Sequence, residues 1–222
     1  MKKSVFAASA AACVVALGAS AGNPLNIVRY DVINAARSGF GGWAHTYNGT
    51  ITDTGSGSAN GISFTRADYT GGSGTLNDGS PGTSPGDTQL FANNAFARPV
   101  ITLYLDGMYT FKDITLFSFD SGNSIPGCIA SFDVTIAGQT ATFVSTHITT
   151  NDEWVQITGS SLDGLADNKV ILSNFVHDGR NNGLSELFCI GEVVINGNVV
   201  PAPGALALLG LAGFAALRRR RA

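Results

Sequence analysis

The sequence predicts an all-β protein, in the form of an antiparallel β-sandwich or jelly roll. Three observations carry this prediction. Strand-length runs often alternate apolar and polar residues, Gly, Asn and Asp turn signals separate the runs, and no long stretch repeats apolar residues with the 3.6-residue period of a helix. Parallel strands would need crossover helices, so the strands are expected to be antiparallel.

Eight segments predict strands, and about eight to ten strands are expected in all. The segments are, in chain order, IVRYDVI (27–33), VITLYLDG (100–107), DITLFSFD (113–120), SFDVTIAG (131–138), TATFVSTHI (140–148), EWVQITG (153–159), KVILSNFV (169–176) and EVVINGN (192–198). In VITLYLDG the two-residue period puts Ile101, Leu103 and Leu105 on one face. Val100, Thr102 and Tyr104 share the other face, so both faces are expected to be mostly covered, as in the central strands of a sandwich.

One long loop is predicted from Thr70 to Gln89. The stretch TGGSGTLNDGSPGTSPGDTQ is too rich in Gly, Pro and Ser to form a strand. Apart from this loop, no linker divides the chain between residues 22 and 198, so a single domain is expected there.

The first 21 residues have the order of a secretory signal peptide. MKK precedes an apolar stretch from Val5 to Leu17, and Ala19 and Ala21 then form an A-x-A cleavage site. Cleavage is expected after Ala21, which places the domain of residues 22–198 outside the cytoplasm.

Residues 199–222 form a second sorting element. Pro201, Ala202 and Pro203 precede thirteen residues without a polar side chain, and the four arginines Arg218, Arg219, Arg220 and Arg221 follow. From Val199 to Leu217 a helix would measure about 28 Å, close to the hydrocarbon thickness of a membrane. The arginines are expected to stay on the cytoplasmic side, which agrees with an exported domain.

The proline pair, the short Gly/Ala/Leu-rich span and the terminal arginine cluster resemble the PEP-CTERM sorting signal of bacterial envelope proteins. The resemblance covers residues 199–222 and implies processing by a membrane protease of the exosortase type. It also implies an association with exopolysaccharide or biofilm systems. Ala202 stands at the position of the family's glutamate, so a plain membrane anchor of the same topology stays open.

Three segments resemble the galactose-binding-like, or discoidin-like, jelly roll. GTLNDG (74–79) is similar to the loop before its first core strands. ITLYLDGMYTFKDITLFSF (101–119) resembles its central pair of strands, and NNGLSELFCIGEVVING (181–197) resembles its closing strand. The resemblance implies carbohydrate binding through loops at one end of the sandwich, although many members are structural.

Charge argues against nucleic acid as a partner. The chain has 13 basic and 16 acidic residues, but Lys2, Lys3 and the four terminal arginines lie in the sorting elements. The domain therefore carries a net charge of about −9, which would repel phosphates. Cys128 and Cys189 are its two cysteines. Export predicts a disulfide between them, and a pair of buried thiols is the alternative.

Catalytic patterns are weak, so the protein is expected to be non-enzymatic. GTSPG (82–86) fits the G-x-S-x-G nucleophile pattern, but Pro85 lacks the N–H that an oxyanion hole would need after Ser84. Asp152 and Glu153 are adjacent in a strand and face opposite sides. A secreted polysaccharide-active enzyme built from distant carboxylates stays open as an alternative.

No cofactor is expected, and the three histidines have no zinc spacing. A structural calcium ion stays open, because Asp78 and Asp87 lie in the long loop and galactose-binding-like domains sometimes hold one.

Two stretches supply candidate ligand-binding residues. Trp43, His45 and Tyr47 share one face of an extended segment and can either stack on sugar rings or pack into the core. Arg180 and Asn181 precede the closing strand and form either a ligand patch or a polar turn. The sequence thus predicts an exported envelope or matrix protein with possible affinity for extracellular polysaccharide, and a purely structural surface protein is the other alternative.

Overall fold

The computed structural model describes residues 22–38, 46–119, 129–147, 152–177 and 186–201. The predicted signal peptide and most of the predicted sorting segment lie outside these ranges. The strands are β1 (Asn23–Pro24), β2 (Ile27–Ser38), β3 (Thr50–Ala59), β4 (Ile62–Gly72), β5 (Gln89–Ala92), β6 (Val100–Phe117), β7 (Ile129–Ile136), β8 (Gln139–Val144), β9 (Thr146–His147), β10 (Asp152–Gln156), β11 (Ala166–His177), β12 (Leu187–Ile190) and β13 (Glu192–Val199). Short 3-10 turns cover Thr75–Asn77 and Pro85–Asp87.

Strand β6 organises the architecture because it belongs to both layers of a sandwich. Its first part pairs with β2 and β11 in a layer ordered β3-β4-β2-β6-β11-β7-β8. Its last part pairs with β13 and β10 in the second layer. In that layer β1 pairs with β13, and β9 pairs with β10. Strands β5 and β12 form a separate two-stranded sheet. Every pair is antiparallel, so the predicted all-β antiparallel class is confirmed.

A single main core lies between the two layers. Leu103 of β6 is fully buried and faces inward with Tyr30 of β2 and Val170 of β11, its register partners in the first layer. Ile114 of the same strand pairs with Ile195 of β13 in the second layer, and both side chains are buried in the same cluster. The predicted inward face of β6 is correct, since Ile101 and Leu105 also belong to this cluster.

The prediction of two separate strands at 100–107 and 113–120 is wrong. One continuous strand, β6, covers residues 100 to 117. The Asp106-Gly107 dipeptide reads as a turn signal, but the Asp106 carboxylate instead accepts hydrogen bonds from Asn26 Nδ2 at 2.9 Å and Tyr109 Oη at 2.6 Å. These contacts hold an extended chain where it passes from one layer to the other.

Strands β3 and β4 form a hairpin that the strand prediction missed. Asn60 and Gly61, with φ of 48° and 78°, are the two turn residues between the paired residues Ala59 and Ile62. Strand β4 continues through Gly72, so the predicted loop from Thr70 starts three residues later. From Ser73 to Thr88 the chain contains only the two short turns, as expected.

No helix in the part of the chain that the structure describes is long and apolar enough to cross a membrane. The apolar run at 205–217 and the arginines at 218–221 lie outside that part, as do Ala202, Pro203 and the cleavage-site residues Ala19 and Ala21. Pro201 is exposed just after β13. The sorting elements therefore stay predictions.

Candidate functional site

Of the predicted ligand-binding residues, the structure describes Tyr47 alone. Trp43, His45, Arg180 and Asn181 lie outside the described residues. The Tyr47 hydroxyl donates to the Tyr30 carbonyl at 2.9 Å and accepts the Gly72 N–H at 2.8 Å. Its ring lies 5.1 Å from those of both Tyr30 and Tyr69. Tyr47 is therefore engaged with the core through its ring and with the backbone through its hydroxyl.

Cys189 is buried in β12, and its predicted partner Cys128 lies outside the described residues. The Cys189 sulfur accepts the Phe119 N–H at 3.1 Å, and in the thiol form, the alternative to the disulfide, it donates to the Phe119 carbonyl at 3.3 Å. The disulfide stays a prediction.

A cleft of about 280 Å³ lies between the loop that follows β5 and the C-terminal part of β11. Its lining residues are Asn93, Asn94, Ala95, Arg98, Asn174, Phe175 and Val176. Polar side chains thus come from two chain segments about 80 residues apart. Side-chain hydrogen bonds of Asn94 and Asn174 hold the two segments in place.

Asn94 shapes the first wall of the cleft, the loop from Asn93 to Pro99. Its Oδ1 accepts the N–H groups of Phe96 at 2.8 Å and Ala97 at 3.1 Å. Its Nδ2 donates to the Ser58 carbonyl at 2.7 Å. Ala97 is fully buried in a second, smaller apolar cluster with Leu90 and Cys189. The loop is therefore fixed to the sandwich from both sides.

Arg66 of β4 fixes the same loop from outside. One of its nitrogens donates to the Phe96 carbonyl at 3.1 Å, and the others reach the Thr54 carbonyl and hydroxyl. The Phe96 side chain is 51% exposed. An apolar ring therefore stands on the surface of the loop that forms the cleft wall.

The second wall is a bulge in β11. The register with β7 shifts between Ser173 and Val176, and Asn174 has a φ of 50°. Asn tolerates this left-handed conformation better than most residues, and the Asn174 amide also donates to Asp133 Oδ2 at 2.6 Å. The bulge leaves Phe175 in the core, where its ring lies 4.8 Å from that of Phe188.

A hydrogen bond from Asn93 Nδ2 to the Phe175 carbonyl joins the two walls. The side-chain nitrogens of Asn93 and Asn174 thus donate hydrogen bonds within the protein. The side-chain oxygens of the same two residues accept no hydrogen bond among the described residues. Arg98 is exposed and, among the residues that the structure describes, is the one charged residue that lines the cleft. The cleft therefore offers guanidinium donors beside amide acceptors.

A second cavity of about 200 Å³ lies beside Glu192, which is 7% exposed. The Glu192 carboxylate accepts the Gly79 N–H at 2.9 Å. Burial raises the pKa of Glu192 from 4.5 to about 7, against the opposing effect of the Gly79 hydrogen bond, and the nearby Asp78 charge raises it further. This carboxylate is satisfied by a backbone turn, and the cavity is lined mainly by apolar side chains and backbone.

The aspartates considered for calcium have partners in the protein. Asp78 accepts the Ser80 N–H at 2.8 Å, and Asp87 accepts the Ser84 hydroxyl at 3.0 Å. Within the described ranges, no group of three or more His, Cys, Asp or Glu could hold a metal ion. The calcium expectation gains no support from these contacts.

The residues considered for catalysis are also engaged. Ser84 caps the turn at Pro85–Asp87, where its hydroxyl accepts the Gly86 N–H at 3.2 Å. The Glu153 carboxylate is fully buried and accepts the Ile129 N–H at 3.1 Å and the Ser145 hydroxyl.

The sequence prediction missed the cleft residues Asn93, Arg98 and Asn174. The Asn93-Asn94 pair before a proline-containing stretch was a possible turn signal. No local pattern marks Arg98 as a neighbour of Asn174, because the two residues meet only through the tertiary fold.

No protein-family model and no curated protein sequence matches the chain. Solved structures that resemble it include a fucolectin from striped bass serum, with 14% identity and a TM-score of 0.47 over 82% of this chain and 51% of that one. The CBM32-3 module of a family 31 glycoside hydrolase from Clostridium perfringens has 11% identity and a TM-score of 0.39, over 67% of this chain and 91% of the module.

The C-terminal domain of a chitobiase from Bacteroides fragilis is a third similar structure. It has 15% identity and a TM-score of 0.42, over 81% of this chain and all of that domain. At these identities no residue role is transferred from the three proteins to this chain.

Proposed function

We propose that residues 22–201 form a carbohydrate-binding domain and that the cleft around Arg98 is its ligand site. The observation that carries the proposal is the pairing of free donors and acceptors in one concave surface. Arg98 supplies guanidinium N–H groups, and the Asn93 and Asn174 amides supply carbonyl oxygens. Sugar hydroxyls both donate and accept, so they complement such a set.

The size of the cleft and the surrounding chemistry also favour binding. At about 280 Å³ it is near the lower end of small-molecule sites, which suits one or two sugar rings. No carboxylate is present in the described part of the cleft lining, and glycoside hydrolysis commonly uses two. The site therefore favours binding over turnover.

The proposal includes a location, which rests on the two sorting elements alone. The protein is exported through the signal of residues 1–21 and is held at the cell envelope, or released from it, through residues 199–222. An exosortase-type protease would process this tail, and extracellular polysaccharide would be the binding partner of the domain.

Filling the cleft tests the proposal. Ala95 is exposed and lines the cleft, so Ala95→Trp should block ligand entry while leaving the core intact. Thr52→Trp adds the same ring at an exposed position of β3 and serves as the matched control. Binding would be measured on a glycan array, followed by titration calorimetry with the best ligand and a turnover assay.

We expect the parent and Thr52→Trp to bind equally without turnover, and Ala95→Trp to lose at least about tenfold in affinity. Equal affinity in all three proteins would move the ligand site elsewhere. Absence of any glycan binding by the parent would overturn the proposed function.

A further inference from the structure

Arg98 differs from the other arginines that the structure describes. Arg29 pairs with Asp31 at 3.1 Å, Arg37 pairs with Asp53, and Arg66 binds Thr54 and the Phe96 carbonyl. Among the described residues, Arg98 has neither an acidic partner nor a hydrogen-bond acceptor. Its guanidinium is therefore available to a ligand.

The charge around Arg98 is unusual for this domain. The domain carries about −9 overall, yet the described lining of the cleft contains one positive charge and no negative one. A guanidinium presents a planar fork of donors that matches the two oxygens of a carboxylate. Each hydroxyl of a neutral sugar would accept a hydrogen bond from only one of these N–H groups. The positive charge of Arg98 would then have no negative partner in the ligand.

The surrounding charge also limits the kind of acidic ligand. A polyanion would place its further charges against a negatively charged domain and be repelled, as argued above for nucleic acid. A single guanidinium in a domain of negative net charge matches a single negative charge on the ligand. The matching ligand is therefore an acidic sugar residue flanked by neutral ones.

We propose that the cleft recognises a uronic-acid residue within an otherwise neutral glycan. This inference rests on the proposed carbohydrate-binding function and names its ligand class. Arg98 binds the sugar carboxylate, and the amide oxygens of Asn93 and Asn174 accept hydrogen bonds from ring hydroxyls. The two amides are held in place by their own bonds to Phe175 and Asp133.

The test compares sugars that differ by one carboxylate. Calorimetric titrations of the full chain would use methyl glycosides of glucuronate and galacturonate against those of glucose and galactose, with polygalacturonate as the polyanion. The variants are Arg98→Gln, which removes the charge, and Arg98→Lys, which keeps the charge but loses the fork. Lys169→Gln removes one charge from an exposed position of the same strand that carries Asn174, and is the control.

We expect one uronate to bind at least about tenfold more tightly than its neutral counterpart. Arg98→Gln should remove that preference, Arg98→Lys should reduce it, and Lys169→Gln should leave it unchanged. Affinity for polygalacturonate per sugar residue should not exceed that for the single uronate.

Equal affinity for acidic and neutral sugars would overturn the uronate assignment and leave the carbohydrate-binding proposal intact. A preference that survives Arg98→Gln would also overturn it. Tighter binding of polygalacturonate would overturn the restriction to an isolated charge. Loss of all glycan binding in the array described above would instead remove the proposed function itself.

Discussion

Glu192 shows how one buried carboxylate can make the stability of the domain depend on pH. Its side chain is removed from water at the start of β13, and a backbone N–H replaces only part of the lost hydration. Folding raises the pKa of Glu192 from its ordinary value of 4.5 to about 7. The folded state therefore binds this proton more tightly than the unfolded state does.

Glu192→Gln should therefore flatten the pH dependence of stability. A group whose pKa is raised by folding contributes stability below its unfolded pKa, and this contribution is lost as pH rises through the folded value. The parent should lose up to about 3 kcal/mol between pH 4.5 and pH 8 because of this group. The neutral variant should lack that loss and be the more stable protein at pH 8, as measured by urea unfolding at several pH values. The same slope in both proteins would assign the pH dependence to other groups.

The loop from Asn93 to Pro99 shows how a single side chain determines a local structure. The Asn94 side chain accepts hydrogen bonds from two N–H groups of its own loop and donates one to a carbonyl of β3. These bonds satisfy backbone groups that strand pairing would satisfy in a sheet. Side-chain bonds of this kind are typical of Asn in turns.

Asn94→Ala should destabilise the domain and loosen the cleft wall. Three hydrogen bonds are lost, and the predicted cost is about 1 to 3 kcal/mol in the free energy of unfolding. Asn168→Ala, at an exposed position of β11, is the control and should change stability by at most about 0.5 kcal/mol. Urea unfolding of both variants provides the measurement. Equal stability would show that the loop holds its shape through Arg66 and Ala97 alone.

The predicted strands were correct where apolar alternation is strong, as in β7, β11 and β13. Strand β3, TITDTGSGSA, is mostly exposed and has almost no large apolar residue. It therefore lacks the alternation of apolar and polar residues from which strands were predicted. The Asn60-Gly61 pair was the available signal, since both residues take the positive φ that a two-residue hairpin requires. At Asp106-Gly107 a similar dipeptide misled the prediction, because side-chain contacts from Asn26 and Tyr109 favour the extended chain there.

The cleft was not predicted from the sequence, since none of its lining residues was among the predicted site residues. The resemblance to sugar-binding jelly rolls indicated loops at one end of a sandwich, without naming the residues. The cleft depends on a bulge at Asn174 and on the hydrogen bond from Asn93 to Phe175, which are tertiary features. Trp43 and His45 belonged to a pattern of rings at a two-residue period, and Tyr47 from the same pattern lies against the core.

At the scale of the whole molecule, the sorting elements are expected to act independently of the domain. Strand β13 ends at Val199 and Pro201 is exposed, so the last strand that the structure describes ends before the apolar run starts. Removing the positive charges of the tail should leave the fold unchanged.

Changing Arg218, Arg219, Arg220 and Arg221 to Ser should release the protein across the membrane or misroute it. Moving each arginine to the bilayer centre costs roughly 2.5 to 3.5 kcal/mol on insertion scales, so four of them are expected to hold the C-terminus inside. Cell fractionation of the variant beside the parent gives the measurement, and circular dichroism should show the same β-domain in both. An unchanged location would mean that the apolar run alone sorts the protein.

Strand β6 gives the domain its cooperativity. Residues 100–105 are hydrogen-bonded in one layer and residues 113–117 in the other, so neither layer has a complete set of strands without the same continuous segment. Each layer also needs the apolar surface of the other to cover its inner face. A half-folded form with one layer intact would leave part of β6 unpaired and its apolar side chains in water. The sandwich is therefore expected to open as one unit, in which the amide protons along β6 exchange with solvent only when the whole domain unfolds.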